Sequence, residues 1–293
     1  MSRAHDSWGF TQGDSITPDL TAVKLLGGGS AYEAYLAFDD LTYGPVVVKV
    51  VRPDQVDDEK TLRGLRREVD NLARVNHPVM MRGLRSEVAG DRPHVVLEHL
   101  DGPRLSSLVR RHGPLPEQQY LPLAIEVASA LHYLRRIGYV HLDVKPSNVI
   151  MGAPARLIDL SVARTVEQAA GLDHPIGTDA YMAPEQCDPP RTGVPGPASD
   201  VWGLGATLFE AIAGFRPFDP PAPDAVTVEE RFPQVAEPSY ELPDRTAADV
   251  AKIVYACLEP VPENRPLPHE VAEGLQPALE RAPRGRLAGF KVR

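Results

Sequence analysis

The spacing of hydrophobic positions changes near residue 100, from short alternating runs to recurrences every three or four residues. Residues 20–26 predict a strand that runs into Gly27-Gly28-Gly29-Ser30-Ala31, and residues 32–38 alternate like the strand returning from it, giving a hairpin with a glycine-rich tip. Residues 45–51 predict a third strand, strongly β-branched, with Lys49 set among valines. A charge in such a run points somewhere specific. A helix follows, marked by Leu62, Leu65, Val69, Leu72 and Val75, with Arg63, Arg66, Arg67 and Arg74 on its other faces and Glu68 beside the apolar stripe. Two more strand-like runs end at residues 94–100, before the turn Asp101-Gly102-Pro103. Residues 1–18 are polar and aperiodic and are expected to form a loose arm.

Beyond the turn the pattern is helical. Tyr120, Leu123, Val127, Leu131 and Leu134 mark a long amphipathic helix stopped at Gly138. Residues 161–200, rich in Gly, Pro and Thr, read as a long functional loop. Residues 198–213 form an apolar helix, residues 219–243 a proline-rich irregular connection, and residues 247–258 and 268–281 two closing helices. The division is therefore an arm (1–18), a small antiparallel β lobe with one helix (19–100), a larger, mainly helical lobe (101–281) and a basic tail (282–293). This is an α+β chain without internal repeats. The tail residues Arg284, Arg286, Lys291 and Arg293, with Arg281 just before them, read as a solvated end, a membrane-surface or partner contact being the alternative.

Composition narrows the function. At 293 residues the chain has ample material for a core, and a formal charge of −9 argues against a nucleic-acid binder held by phosphate neutralisation. The cysteines, Cys187 and Cys257, lack metal-ligand spacing and suggest a reducing compartment. The start MSRAHDSWGF lacks the apolar core of a secretory signal, and no window reaches the roughly 18 apolar residues of a membrane span. A cytoplasmic protein is expected.

The chemistry gathers in His141-Leu142-Asp143-Val144-Lys145-Pro146-Ser147-Asn148 and, shortly after, Ile158-Asp159-Leu160. Two carboxylates, an ammonium and a carboxamide on one loop and the next strand are what phosphoryl transfer from a metal nucleotide needs: a proton acceptor, a cation for the moving phosphoryl, and oxygen ligands for magnesium. Taken alone, the stretch is equally a polar turn whose Asp143 and Asn148 cap backbone groups. The glycine tip is equally a plain hairpin turn, and Lys49 a charge that keeps a strand edge from pairing.

The order and spacing of these elements over residues 20–280 resemble a protein kinase domain, of the serine/threonine type and similar to bacterial kinases of the eukaryotic type. The resemblance implies the two-lobed protein kinase fold, ATP and magnesium as cofactors, and a protein substrate carrying Ser or Thr. It gives Gly27, Gly28 and Gly29 to the flap over the phosphates, Lys49 to the α- and β-phosphates, and Glu68 to orienting Lys49. The hinge that reads adenine through backbone atoms would be Glu98 and Leu100, with Leu97 gating the pocket behind it. Asp143 would accept the substrate's proton, Lys145 steady the γ-phosphate, and Asn148 and Asp159 hold magnesium. Lys145 and Thr178, ahead of Tyr181-Met182-Ala183-Pro184-Glu185, carry the serine/threonine likeness. Glu185 with Arg265, and the helix-start Asp200, are implied structural ties.

Several positions depart from the family pattern. Tyr32 stands at its third glycine, Ala34 at its valine, and Leu160 and Ser161 in its Asp-Phe-Gly type motif. Leu142 replaces the arginine that receives an activation-loop phosphate in many kinases, and Thr165 is the loop hydroxyl in a plausible phosphosite position. Activity independent of activation-loop phosphorylation is therefore expected. The other readings are a nucleotide-binding pseudokinase or scaffold, motivated by Tyr32, Ala34 and Ser161, and a small-molecule phosphotransferase. Ala183-Pro184-Glu185 with Arg265 counts against the latter. A regulatory partner is possible but unidentified by sequence.

Overall fold

A computed structural model describes residues 6–282. These divide into two compact units: one comprises the residues up to Asn76 together with Met80–Asp101 and Asp159–Ser161, the other His77–Val79, Gly102–Ile158 and the residues from Val162 onward. The tail positions Arg284, Arg286, Lys291 and Arg293 lie outside the described residues.

The first unit is built on one antiparallel sheet of β1 (Ser15–Thr17), β2 (Leu20–Gly28), β3 (Tyr32–Asp39), β4 (Gly44–Val51), β5 (Gly83–Glu87) and β6 (His94–Glu98), in the order β1-β2-β3-β4-β6-β5. The predicted hairpin is β2–β3, in which Gly28 stands opposite Glu33, and Lys49 on β4 stands opposite Ala34 and Val95. Alternation along β3 and β4 buries Tyr35, Ala37, Val46, Val48 and Val50 in one core beneath the sheet.

The arm expected to be loose is partly built into this core. Ile16 is fully buried, residues 15–17 pair with β2, and Trp8 and Phe10 pack against the same cluster. Their spacing follows neither period, because the segment attaches through separate rings and one very short strand.

Among the described residues of this unit the one α-helix, α1 (Glu59–Arg74), is capped by the Asp58 carboxylate, which accepts from the Thr61 amide. Its buried face carries Thr61, Leu65, Glu68, Asn71 and Leu72, so the stripe expected from Leu62 and Val69 is rotated toward polar residues. That rotation puts Glu68 inside.

An ion pair closes the far end of the sheet. Asp39, fully buried, accepts two bonds of 2.7 and 2.6 Å from the Arg85 guanidinium and one of 2.8 Å from the Thr42 hydroxyl. The Arg85 bonds outweigh the cost of burial and hold the Asp39 carboxyl well below the usual carboxylate range. Its contribution is therefore complete above the unfolded value near 3.8 and is lost as pH falls below it. Urea unfolding between pH 4 and pH 2 should show Arg85→Ala with a slope shallower than wild type by up to one proton, about 1.4 kcal/mol per pH unit. Equal slopes would mean that Arg85 does not set this titration.

The second unit is helical. It runs through α2 (Leu105–His112), α3 (Glu117–Arg136), three short strands β7 (Tyr139–Val140), β8 (Val149–Ile150) and β9 (Arg156–Leu157), then β10 (Arg164–Thr165), α4 (Val166–Ala170), α5 (Pro184–Cys187), α6 (Pro189–Thr192), α7 (Pro197–Ala213), α8 (Val228–Arg231), α9 (Ala248–Cys257) and α10 (Pro268–Arg281). Helix α7 is apolar nearly all round and packs against both α3 and α9, which makes it the centre of this unit. The stretch 219–243 is irregular apart from α8 and one 3-10 turn, and it is anchored by the buried Phe232. Cys187 and Cys257 are unpaired and buried, and burial pushes the Cys257 thiol up to about 12. Among the described residues no helix is long and apolar enough to cross a membrane.

Candidate active site

In the first unit the central charge is Lys49. Its Nζ donates to both carboxylate oxygens of Glu68, at 2.9 and 2.7 Å, and lies 3.5 Å from Oδ1 of Asp159. Burial pulls the lysine's pKa down, but the Glu68 and Asp159 carboxylates outweigh it and hold the lysine above its ordinary range. The fit depends on period and alternation together: Lys49 faces away from the valine core, and the rotated face of α1 offers Glu68 to it.

Tyr32 completes this arrangement. Its ring lies under the ammonium, 4.9 Å from Nζ to centroid, and its hydroxyl donates to the Thr61 carbonyl on the first turn of α1 at 2.9 Å. Burial raises the phenol's pKa, so it stays a donor. A side chain at Gly64 would come within 3.0 Å of that hydroxyl, which accounts for a glycine inside a helix. The Tyr32 ring thus ties the glycine-rich hairpin to α1.

Asp159 sits at φ +70°, a conformation costly for a residue with a side chain, and its Oδ1 accepts from the Ser161 amide at 3.2 Å. Asn71 and Arg67 of α1 donate to the carbonyls of Leu160 and Ser161, which pins this short segment. Of the hinge pair, Leu100 is half-buried, and Glu98 turns its carboxylate to the amide and guanidinium of Arg82. Leu97 is buried in β6, paired with Val47.

In the second unit Asp143 is the hub. Oδ1 accepts from the Thr178 hydroxyl at 2.7 Å, and Oδ2 accepts from Asn148 Nδ2 at 3.0 Å and from the Lys145 ammonium at 2.7 Å. Lys145 also donates to Thr178 Oγ1. Asn148 sends its second N–H to the Asp143 carbonyl at 3.0 Å, which fixes the amide and leaves Oδ1 as its outward oxygen. Asp143, Lys145, Asn148 and Thr178 are thus one connected cluster.

The loop that carries them is shaped from beneath. Asp200, on the first turn of α7, accepts 2.7 Å bonds from the amides of both His141 and Leu142, and Leu142 holds φ +65° there. Burial pushes the Asp200 carboxyl up to about 7 against the pull of these two donors. The His141 ring, fully buried, accepts from the Asp143 amide at 3.3 Å, with its other nitrogen 3.2 Å from the Ile158 carbonyl.

The segment read as a long loop is structured at its start. Strand β10 pairs with β7, Thr165 caps α4 in a capping box with Gln168, and Val140, Leu142 and Ala169 form a buried cluster with Val162, Val166, Leu172 and Ile176 around it. Leu142, in place of an arginine, is the floor of that cluster.

Asn148 in the second unit and Asp159 in the first each carry oxygen of the hard kind that magnesium prefers. Sequence reasoning missed the part played by Thr178 in holding Asp143 and the buried Glu33 beneath the hairpin. The first was open to inference from a hydroxyl ahead of Ala183-Pro184-Glu185, and the second had no signal.

A model of the protein kinase domain family matches residues 20–274. Similar proteins include the serine/threonine-protein kinase PknB of Mycobacterium leprae, 32% identical over 250 residues that make up 82% of this chain and 40% of that protein. The probable serine/threonine-protein kinase PkwA of Thermomonospora curvata is 34% identical over 252 residues, 85% of this chain and 33% of that protein. A serine/threonine-protein kinase of Corynebacterium efficiens, drp72, is 28% identical over 275 residues, 90% of this chain and 51% of that protein. The match takes in about half or less of the length of each of these relatives.

Proposed function

The chain belongs to the protein kinase family, and from that membership we propose that it transfers the γ-phosphoryl of Mg-ATP to serine or threonine hydroxyls of a protein substrate. The observation that carries this reading is the Asp143 cluster: a carboxylate fixed at both oxygens by Thr178, Asn148 and Lys145 and positioned by the Asp200-braced loop. A carboxylate held in this way can orient an incoming hydroxyl and take its proton as the oxygen–phosphorus bond forms. Lys145 places its charge on the γ-phosphoryl, and Lys49, kept ionised by Glu68, holds the α- and β-phosphates. The side-chain-free hairpin at residues 27–29 covers the phosphates, and the backbone at Glu98 and Leu100 reads the adenine edge. Asn148 and Asp159 would hold magnesium, which supplies charge neutralisation on the phosphate oxygens. The free, buried thiols suit a cytoplasmic catalytic domain.

Transfer in this reading does not wait for phosphorylation of the segment after Asp159. Leu142 offers no cation to a phosphate, and the segment 162–176 is docked around it by apolar contact, by β10–β7 pairing and by Gln186, whose amide donates to the carbonyls of Leu142 and Ile176 at 2.9 and 2.8 Å. Thr165 serves as a cap.

Mass spectrometry after incubation with Mg-ATP, alone and with lysate of the host, should show phosphate added to serine or threonine. Thermal stabilisation by Mg-ATP without any transfer would support the pseudokinase reading instead. Thr165→Ala should keep transfer within about twofold and cost about 1 kcal/mol of stability, as for a lost helix cap. Loss of transfer with the fold intact would show that the hydroxyl, not the cluster, sets activity.

A further inference from the structure

The glycine-rich hairpin is also held through a buried carboxylate that takes no part in phosphate chemistry. Glu33, 1% exposed, lies on β3 just past the tip. Its Oε1 accepts from Ser7 Oγ at 2.5 Å and Arg52 Nη1 at 3.1 Å, and its Oε2 from the Trp8 amide at 3.1 Å and the Tyr35 hydroxyl at 3.0 Å. Arg52 carries the chain of bonds to the tip, because its Nε donates to the Gly29 carbonyl at 2.6 Å while Nη1 also reaches the Asp6 carbonyl at 3.0 Å. A side chain at Gly28 would come 3.2 Å from the Arg52 guanidinium and 2.7 Å from the Tyr32 carbonyl, so the bare backbone there is what admits this contact.

The arm has its own anchorage. Trp8 donates from Nε1 to the Val51 carbonyl at 2.7 Å and stacks on Phe10, whose ring meets Tyr35 edge-on. Arg92 lies over both arm rings and donates from Nη1 to the carbonyls of Ser15 and Ile16 at 3.0 and 2.7 Å. A buried carboxylate with four donors is costly to assemble and fixes geometry more than it adds stability.

We propose that Glu33 and Arg52 are positioning residues for the phosphate-covering flap, and that docking of residues 6–10 sets the flap's position through them. The proposal rests on the kinase reading for its effect on ATP and on geometry alone for its effect on the hairpin. Trp8 touches no group assigned to the nucleotide; it reaches the hairpin through Glu33 and β4 through the Val51 carbonyl, two routes that the double variant with Arg52 separates. Tyr32 holds the same hairpin to α1, which leaves the arm to govern the tip.

The test compares Trp8→Ala, Arg52→Ala and the double variant in the full chain. Each single variant should raise the KM for ATP about fivefold, the equivalent of roughly 1 kcal/mol for one lost hydrogen bond, with kcat within twofold. The double variant should be no worse than Arg52→Ala, because both act along one path. An unchanged KM in Trp8→Ala, or effects that multiply in the double, would overturn the proposal. Amide hydrogen exchange without nucleotide decides the coupling separately. Residues 27–31 should exchange faster in Trp8→Ala while β6 stays protected, and no change at 27–31 would overturn the proposal even if the kinase reading stands. A wild type that neither binds nor uses ATP would defeat the kinase reading and leave the exchange result to judge the hairpin.

Discussion

Asp143→Asn abolishes transfer of labelled phosphate, with kcat reduced by about 10²- to 10⁴-fold, the range typical of losing a positioned general base. The substitution is nearly isosteric. An amide oxygen can still accept from Asn148 and Lys145, and an amide N–H can meet the Thr178 hydroxyl, so the loop keeps its form. What disappears is the carboxylate that the proposed reading makes the acceptor for the substrate's proton. The variant should therefore still be stabilised thermally by Mg-ATP and melt within a degree or two of wild type. Retention of more than about a tenth of wild-type kcat would remove Asp143 from the role of base. A collapse in melting temperature would instead assign it to the architecture of the loop.

Arg265→Met costs about 3–5 kcal/mol, the scale for stranding one partner of a buried ion pair. Arg265 and Glu185 are both shielded from solvent at the side chain and meet through two bonds, of 2.6 and 2.8 Å. The remaining guanidinium hydrogens go to the carbonyls of Glu259, Ala198 and Pro260, so all five donors are used, and Glu185 Oε1 gains a further bond from Ser199. Truncating the arginine takes its donors from three carbonyls and leaves the buried carboxylate with the Ser199 hydroxyl alone. Adding Glu185→Met to the variant should recover a large part of the loss, because two apolar groups need no partner. Urea unfolding of the two single variants and the double measures this. If the double is as unstable as Arg265→Met, the carbonyl contacts rather than the ion pair are what the arginine secures.

The parts of the fold that could be read from the sequence were those whose residues obey one period. The hairpin at residues 27–31, the valine strand around Lys49 and the apolar helix α7 emerge at nearly their observed places. Helix α1 was found, but its buried face was misplaced, because reading inside as apolar cannot foresee Thr61, Glu68 and Asn71 turned inward for polar partners. The short helix α2 passed unread, since Leu105 and Val109 are its only buried residues between serines and arginines. The cap Thr165 with Gln168 was a readable helix start that the surrounding loop composition masked. Of the site, the spacing supplied the charged groups. It could not supply Thr178 as the bridge between Lys145 and Asp143, nor the Glu33 network, because both depend on contacts between residues more than 20 positions apart.

The distribution of two scarce residue types gives the molecule separate reporters. Trp8 belongs to the β unit and Trp202 to the helical one, and both cysteines lie in the helical unit. Because only an exposed thiolate reacts, the burial of Cys187 and Cys257 makes alkylation a clock for the opening of the helical unit. With Trp202 replaced by Phe, the fluorescence of Trp8 follows the release of the arm alone. Recorded on one sample, the two signals would show whether the two units of this protein loosen together or in turn.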